Sequence, residues 1–218
     1  MKLYKTSIAF LLCSFVLFSC ASDGGEGTEG ETDNGGSNKI VSENTKPMDL
    51  SEDFPTMFSS AFIGKSKEQV LANIDKMIDK EIGAYLIYKP GVAAIQKRVT
   101  SAEDLKSTFA YIDETLVQFK EAPKKGELPY FDCETFDKEG NFYKEVEKGG
   151  RVQMAMNDEK NLLYTDFPEE EVTKMVNADN ATSVVMVSTN AQVEMGFGKV
   201  NGKWRIITVN IADFDCGA

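Results

Sequence analysis

No residue among the 218 is histidine. That absence excludes histidine triads, histidine general bases and every zinc site that needs imidazole. Basic residues are scarce as well, with 24 Lys and Arg against 35 Asp and Glu and a formal net charge of −11. Nucleic acid and anionic lipid surfaces repel a chain of that sign, so neither is an expected partner. The longest apolar stretch, Ile8 to Phe18, falls short of the ~20 residues a helix needs to cross a bilayer. The four cysteines contain no Cys-x-x-Cys pair, the usual mark of a redox motif.

What is present begins at the N-terminus. Lys2 and Lys5 precede the apolar stretch, which runs into Leu17-Phe18-Ser19-Cys20. A basic lead, a short apolar run and a small residue at the exit suit a secretory signal rather than a membrane span. Leu17 to Cys20 resembles the lipobox of Gram-negative lipoproteins, departing from its strictest form at Phe18. The resemblance implies cleavage before Cys20 and lipid attachment to its thiol. Two or more acyl chains anchor stably where one does not. The membrane is then a partner through this lipid, and the location is the cell envelope, with the outer membrane expected and the periplasmic or surface side left open. An ordinary signal peptide with an incidental cysteine is the other reading.

The chain divides into residues 1–19 as signal, 20–46 as tether and 47–218 as a single domain. Residues 21–38 are rich in Gly, Ser and Thr, carry Asp23, Glu26, Glu29, Glu31 and Asp33, and contain no large apolar side chain. Such a segment buries too little surface to offset its ordering entropy. As a Gly-rich coil the tether reaches on the order of 30 Å. Its acids resemble the surface-export signals of Bacteroidota lipoproteins, though a plain acidic linker accounts for them equally. Removing residues 1–19 takes Lys2 and Lys5 from the 24 basic residues and nothing from the 35 acids, which moves the net charge from −11 to −13. The remaining ~170 residues suffice for one domain with its own core.

With Cys13 in the signal and Cys20 lipidated, Cys133 and Cys216 have one possible intramolecular pairing in an oxidising compartment. A disulfide closing so long a loop contributes about 2–5 kcal/mol. A redox-active pair is the weaker alternative, because Asp132, Glu134 and Asp215 disfavour the thiolate.

Within the domain, Ser66 with Gln69 forms a capping box ahead of the stripe Val70, Leu71, Ile74, Met77 and Ile78. Thr100 with Glu103 opens a second helix carrying Leu105, Phe109, Ile112, Leu116 and Phe119, ended by Pro123. Between them, residues 83–88 and 92–99 read as a hairpin around Lys89-Pro90-Gly91. Residues 50–63 read as a short additional helix with its boundary blurred by Pro55. Pro168 followed by Glu169, Glu170 and Glu171 opens a short helix, and residues 183–189 begin a closing meander.

Asn201-Gly202 is the favoured two-residue hairpin turn. It predicts that Val200 faces Lys203, Phe197 faces Ile206, Gly196 faces Ile207, Met195 faces Thr208 and Glu194 faces Val209. Trp204 and Ile206 then share one face of the last strand and Ile207, Val209 and Ile211 the other, as in a strand covered on both sides.

This order of elements, and residues 182–212 with their Gly-Lys-Trp-Arg hairpin, resembles the cystatin-like or NTF2-like α+β cone. The resemblance implies an α+β fold with a curved antiparallel sheet packed against N-terminal helices. The lipobox, Leu-Pro-Tyr-Phe-Asp-Cys ending at Cys133 and the terminal Asp-Phe-Asp-Cys-Gly-Ala are similar to Bacteroidota lipoproteins, a family that implies no established activity.

No motif supplies a catalytic residue, a metal site or a cofactor. Asp137-Lys138-Glu139-Gly140-Asn141 starts like a calcium loop but has its Gly fourth rather than sixth, so a turn is the better reading. Glu169 to Glu171 suit a helix dipole. The superfamily resemblance implies that any pocket lies between the sheet and the helices, on the side of Gly196 and Gly198, with Glu194 and Arg205 as its polar groups. On the alternative reading the glycines relieve curvature and both charges face solvent. Two functions follow: a lipid-anchored, non-catalytic binding or scaffolding module for an unknown protein or small-molecule ligand, or a small-molecule enzyme of NTF2-like type using a pocket carboxylate.

Overall fold

Asp53 starts the first helix by accepting from the Thr56 N–H at 3.2 Å, and Pro55 follows in the first turn, where its missing N–H has no helical partner to lose. The computed structural model describes residues 48–214, so the signal, Cys20, the tether and Cys216 lie outside the described residues. α1 (Phe54–Phe62) buries Phe54, Met57, Phe58, Ala61 and Phe62 on one stripe. α2 (Lys67–Met77) begins at the expected capping box, with Ser66 and Gln69 bonded reciprocally. The hairpin forms as β1 (Ala84–Tyr88) and β2 (Ile95–Val99), paired antiparallel.

The single helix expected from Thr100 to Phe119 is two: α3 (Ala102–Thr108) and α4 (Ile112–Leu116). The cap lies one residue further on, where Ser101 Oγ accepts from the Asp104 N–H at 3.0 Å and Asp104 accepts from the Thr100 N–H at 3.1 Å. The break falls at Phe109, whose backbone is extended. Just before it, the Ser107 and Thr108 hydroxyls both donate to the Asp104 carbonyl, competing for a helical acceptor.

Beyond β3 (Lys124–Lys125) and β4 (Asn141–Glu145) comes α5 (Arg151–Leu162), which the sequence reading did not anticipate. α6 (Glu169–Ala181), β5 (Val184–Ser188), β6 (Val193–Val200) and β7 (Lys203–Asn210) then appear where expected, and a 3-10 turn spans Ala212–Phe214. The described residues thus form an α+β fold of six α-helices on one open seven-stranded sheet, ordered β2-β1-β7-β6-β5-β4-β3. Only the β1–β7 and β3–β4 pairs are parallel.

The turn at Asn201-Gly202 sets the register as far as Phe197 and Ile206, after which it changes. A bulge between Gly196 and Phe197 leaves Ile207 without a partner, so Gly196 faces Thr208, Met195 faces Val209 and Glu194 faces Asn210. An inserted residue switches the side of everything beyond it. Val209 and Ile211 therefore join Trp204 and Ile206 on the first face, and Ile207 alone of that group enters the second.

Alternate residues of β1 show that both faces of the sheet are covered. Ala84 and Leu86 join a core built on α1 to α4, and Tyr85 and Ile87 join another with Val152 and Ala155 of α5 and Met175 and Ala178 of α6. The first core is aromatic: the Phe54 ring lies 4.9 Å from that of Phe197 and 5.4 Å from that of Trp204. Trp204 also donates through Nε1 to the Glu52 carbonyl at 2.8 Å, tying the chain entering α1 to the last strand.

Candidate functional site

The second face is covered by α5 and α6, and the site lies where the start of α5 meets the sheet. α5 and α6 lie over the β2, β1, β7 and β6 side of the sheet. Between β3 and β4, Phe131 and Phe136 form an isolated bridge, and their rings lie tilted at 4.8 Å. The Phe214 ring, near the chain end, packs on both, at 5.9 and 5.5 Å. Within this loop Asp137 accepts from the Tyr130 N–H at 2.8 Å, and Gly140 leads into β4 at a φ of 120°, so residues 137–140 bend between the Phe136 bridge and β4.

A cavity of about 220 Å³ opens on this face. Val185 of β5, Glu194 of β6 and Thr208 of β7 form its floor. The start of α5 and Thr182 after α6 make one wall, and the exposed Lys144 and Lys148 stand at its rim. The lysines make no ion pair among the described residues.

Glu194 is buried, and it meets the arginine that opens α5. Arg151 donates through Nε to Oε1 at 2.6 Å and through Nη2 to Oε2 at 2.7 Å, a planar two-bond match of guanidinium and carboxylate. The outer nitrogen, Nη1, lies 2.8 Å from Oδ2 of Asp213. Burial works against the Arg151 charge, yet the hydrogen bonds from Glu194 and the charges of Glu194 and Asp213 outweigh it, and the arginine pKa is pushed above its ordinary value. Directly across from Glu194, Asn210 accepts from the Ala212 N–H at 3.0 Å and keeps its Nδ2 buried with no partner among the described residues.

α5 has no side-chain cap of its own. Asp179 of α6, wholly buried, supplies one by accepting from the Val152 and Gln153 N–H groups at 3.3 and 3.0 Å. A carboxylate here satisfies orphan donors and favours the positive end of the helix. Asp179 is therefore occupied as a cap even though it lines the cavity.

Of the two polar groups the sequence suggested, Glu194 lines this cavity and Arg205 does not. Arg205 donates to the Lys76 carbonyl and lies 3.8 Å from Asp79, at the end of α2. Gly196 and Gly198 leave no free space either. A Cβ on Gly198 would run into the Ala181 carbonyl and one on Gly196 into the Thr208 hydroxyl, so these glycines let α6 and β7 approach β6 closely. The sequence reading missed Arg151 because it saw no helix there. Its available signal was weak: Val152 and Ala155 three apart in a run of good helix formers directly after Gly149-Gly150.

Among the described residues no cluster of three or more His, Cys, Asp or Glu side chains could hold a metal ion. No described helix is long and apolar enough to cross a membrane. No family model, curated protein or solved structure matches the chain.

Proposed function

We propose that this is a lipid-anchored cell-envelope protein, held by a lipid on Cys20 and presenting a non-catalytic binding domain whose ligand site is the cavity over Glu194. The observation that carries the binding reading is the Arg151–Glu194 pair. A buried carboxylate beside a cavity is the usual starting point for an acid or base. Here both of its oxygens are engaged by one guanidinium, and the arrangement favours a rigid, preformed recognition surface over proton transfer. The NTF2-like enzyme reading loses its best carboxylate to this ion pair.

Three further parts belong to the same proposal. The acidic tether holds the domain clear of the headgroups, on the outer membrane and on either its periplasmic or its surface side. Cys133 and Cys216 form a disulfide; its support is that Phe214, two residues before Cys216, packs on the rings of Phe131 and Phe136, which bracket Cys133. Kinship with the cystatin-like or NTF2-like cone rests on the β5-β6-β7 meander and the helices on the first face, while α5 and α6 on the second face depart from the one-sided packing the resemblance implies.

A thermal-shift screen of small molecules on the full chain tests the binding reading, with Val185→Trp filling the cavity. Stabilising ligands whose effect disappears in V185W support it. Ligands that stabilise both proteins equally, or that are turned over to products, contradict it.

A further inference from the structure

Arg151 is asymmetric in its partners, and the asymmetry indicates what the cavity takes. Its inner edge is held by a carboxylate that is 5% exposed, its outer edge by one that is 41% exposed. Glu194 is fixed near the start of β6, the central strand of the sheet and hydrogen-bonded on both sides, whereas Asp213 lies in a three-residue turn at the edge of the described chain. The inner contact is buried and the outer one is open to solvent. Asp213 therefore shows which chemical group the outer edge of this guanidinium accepts.

Lys144 and Lys148 line the same cavity with no acidic partner among the described residues, while Glu194 is paired with Arg151 and Asp179 is engaged by the first N–H groups of α5. On a chain with a net charge of −11, this places unspent positive charge in a concave site. Apolar lining from Leu128, Met154 and Val185 lies beside it. At about 220 Å³ the space is below the ~300 Å³ at which drug-sized ligands begin to fit.

Resting on the binding reading above, we propose that the ligand is a small dicarboxylic acid, one carboxylate displacing Asp213 from Arg151 and the other meeting Lys144 and Lys148. Asp213 is then an internal occupant that the ligand must outcompete. Removing its charge frees the outer edge of Arg151 without touching the Glu194 contact.

Calorimetric titration of the full chain with succinate, glutarate and the uncharged succinamide tests this. Saturable binding of a dicarboxylate, with about fivefold to tenfold tighter binding in Asp213→Asn and about tenfold weaker binding in K144Q/K148Q, is the expected pattern. All of these substitutions are at exposed positions, and circular dichroism verifies that each variant is folded. The proposal is overturned if neither acid binds even the D213N protein, if succinamide binds as well as succinate, or if K144Q/K148Q leaves the affinity unchanged. Should neutral molecules stabilise the protein in a V185W-sensitive way while the acids do not bind, the cavity remains a binding site and only the carboxylate assignment fails.

Discussion

Asp179 and Gln153 meet twice: the Oδ2 atom of Asp179 accepts from both the backbone N–H and the Nε2 of Gln153, each at 3.0 Å. One helix thus caps another, and the cavity wall depends on it. Asp179→Ala removes the cap and leaves buried N–H groups unsatisfied, a loss of about 2–3 kcal/mol. Urea unfolding reads this directly, and Asp179→Asn, which retains one acceptor, loses less.

The Arg151–Glu194 pair predicts unequal single substitutions. Arg151→Met strands a buried carboxylate and costs about 3 kcal/mol, the lower end for a broken buried pair because the arginine is partly exposed. Glu194→Gln costs less, since Arg151 keeps Asp213 at 2.8 Å. The double variant R151M/E194M is more stable than R151M alone, and a double-mutant cycle by chemical denaturation measures the coupling.

Glu159 gives the pH dependence. Desolvation on α5 raises its pKa above the ordinary 4.5, only partly offset by its hydrogen bonds from Gln96. A carboxyl with a raised folded-state pKa binds protons more tightly folded than unfolded, so it opposes folding once ionised. The penalty is absent below pH 4.5, grows as the pH climbs from there through the folded-state value, and is complete above it. Glu159→Gln therefore melts higher than the parent at pH 7, and the two converge near pH 4; melting curves across this range check both ends.

Two glycines separate close packing from chain flexibility. Gly198→Ala drives a methyl into the Ala181 carbonyl and costs about 3 kcal/mol. Gly126→Ala meets nothing within 4 Å and is neutral or slightly stabilising. Parallel denaturation of the two variants shows the difference.

How much of this was legible in the sequence depends on how local each determinant is. The Ser66–Gln69 box and the Asn201-Gly202 turn act within a few residues, and both elements appear as read. α5 was hidden because its cap lies on another helix, 26 residues from Gln153. The register beyond Phe197 was hidden because a bulge answers to packing on two faces, not to the turn that starts the pairing. Glu194 was visible as a pocket carboxylate, but its partner could not be named without α5, and Arg205 was suggested in its place. Local chemistry is written in short patterns; the meeting of Arg151 with Glu194, 43 positions apart, is not.

The central claim is that a lipid on Cys20 holds this binding domain at the cell envelope. Mass spectrometry of the N-terminal peptide from protein purified out of its native membranes tests it most directly. The account predicts a chain that begins at Cys20 and carries a diacylglyceryl group together with a further acyl chain. An unacylated Cys20, or residues 1–19 still attached to protein in the cytosol, would contradict it.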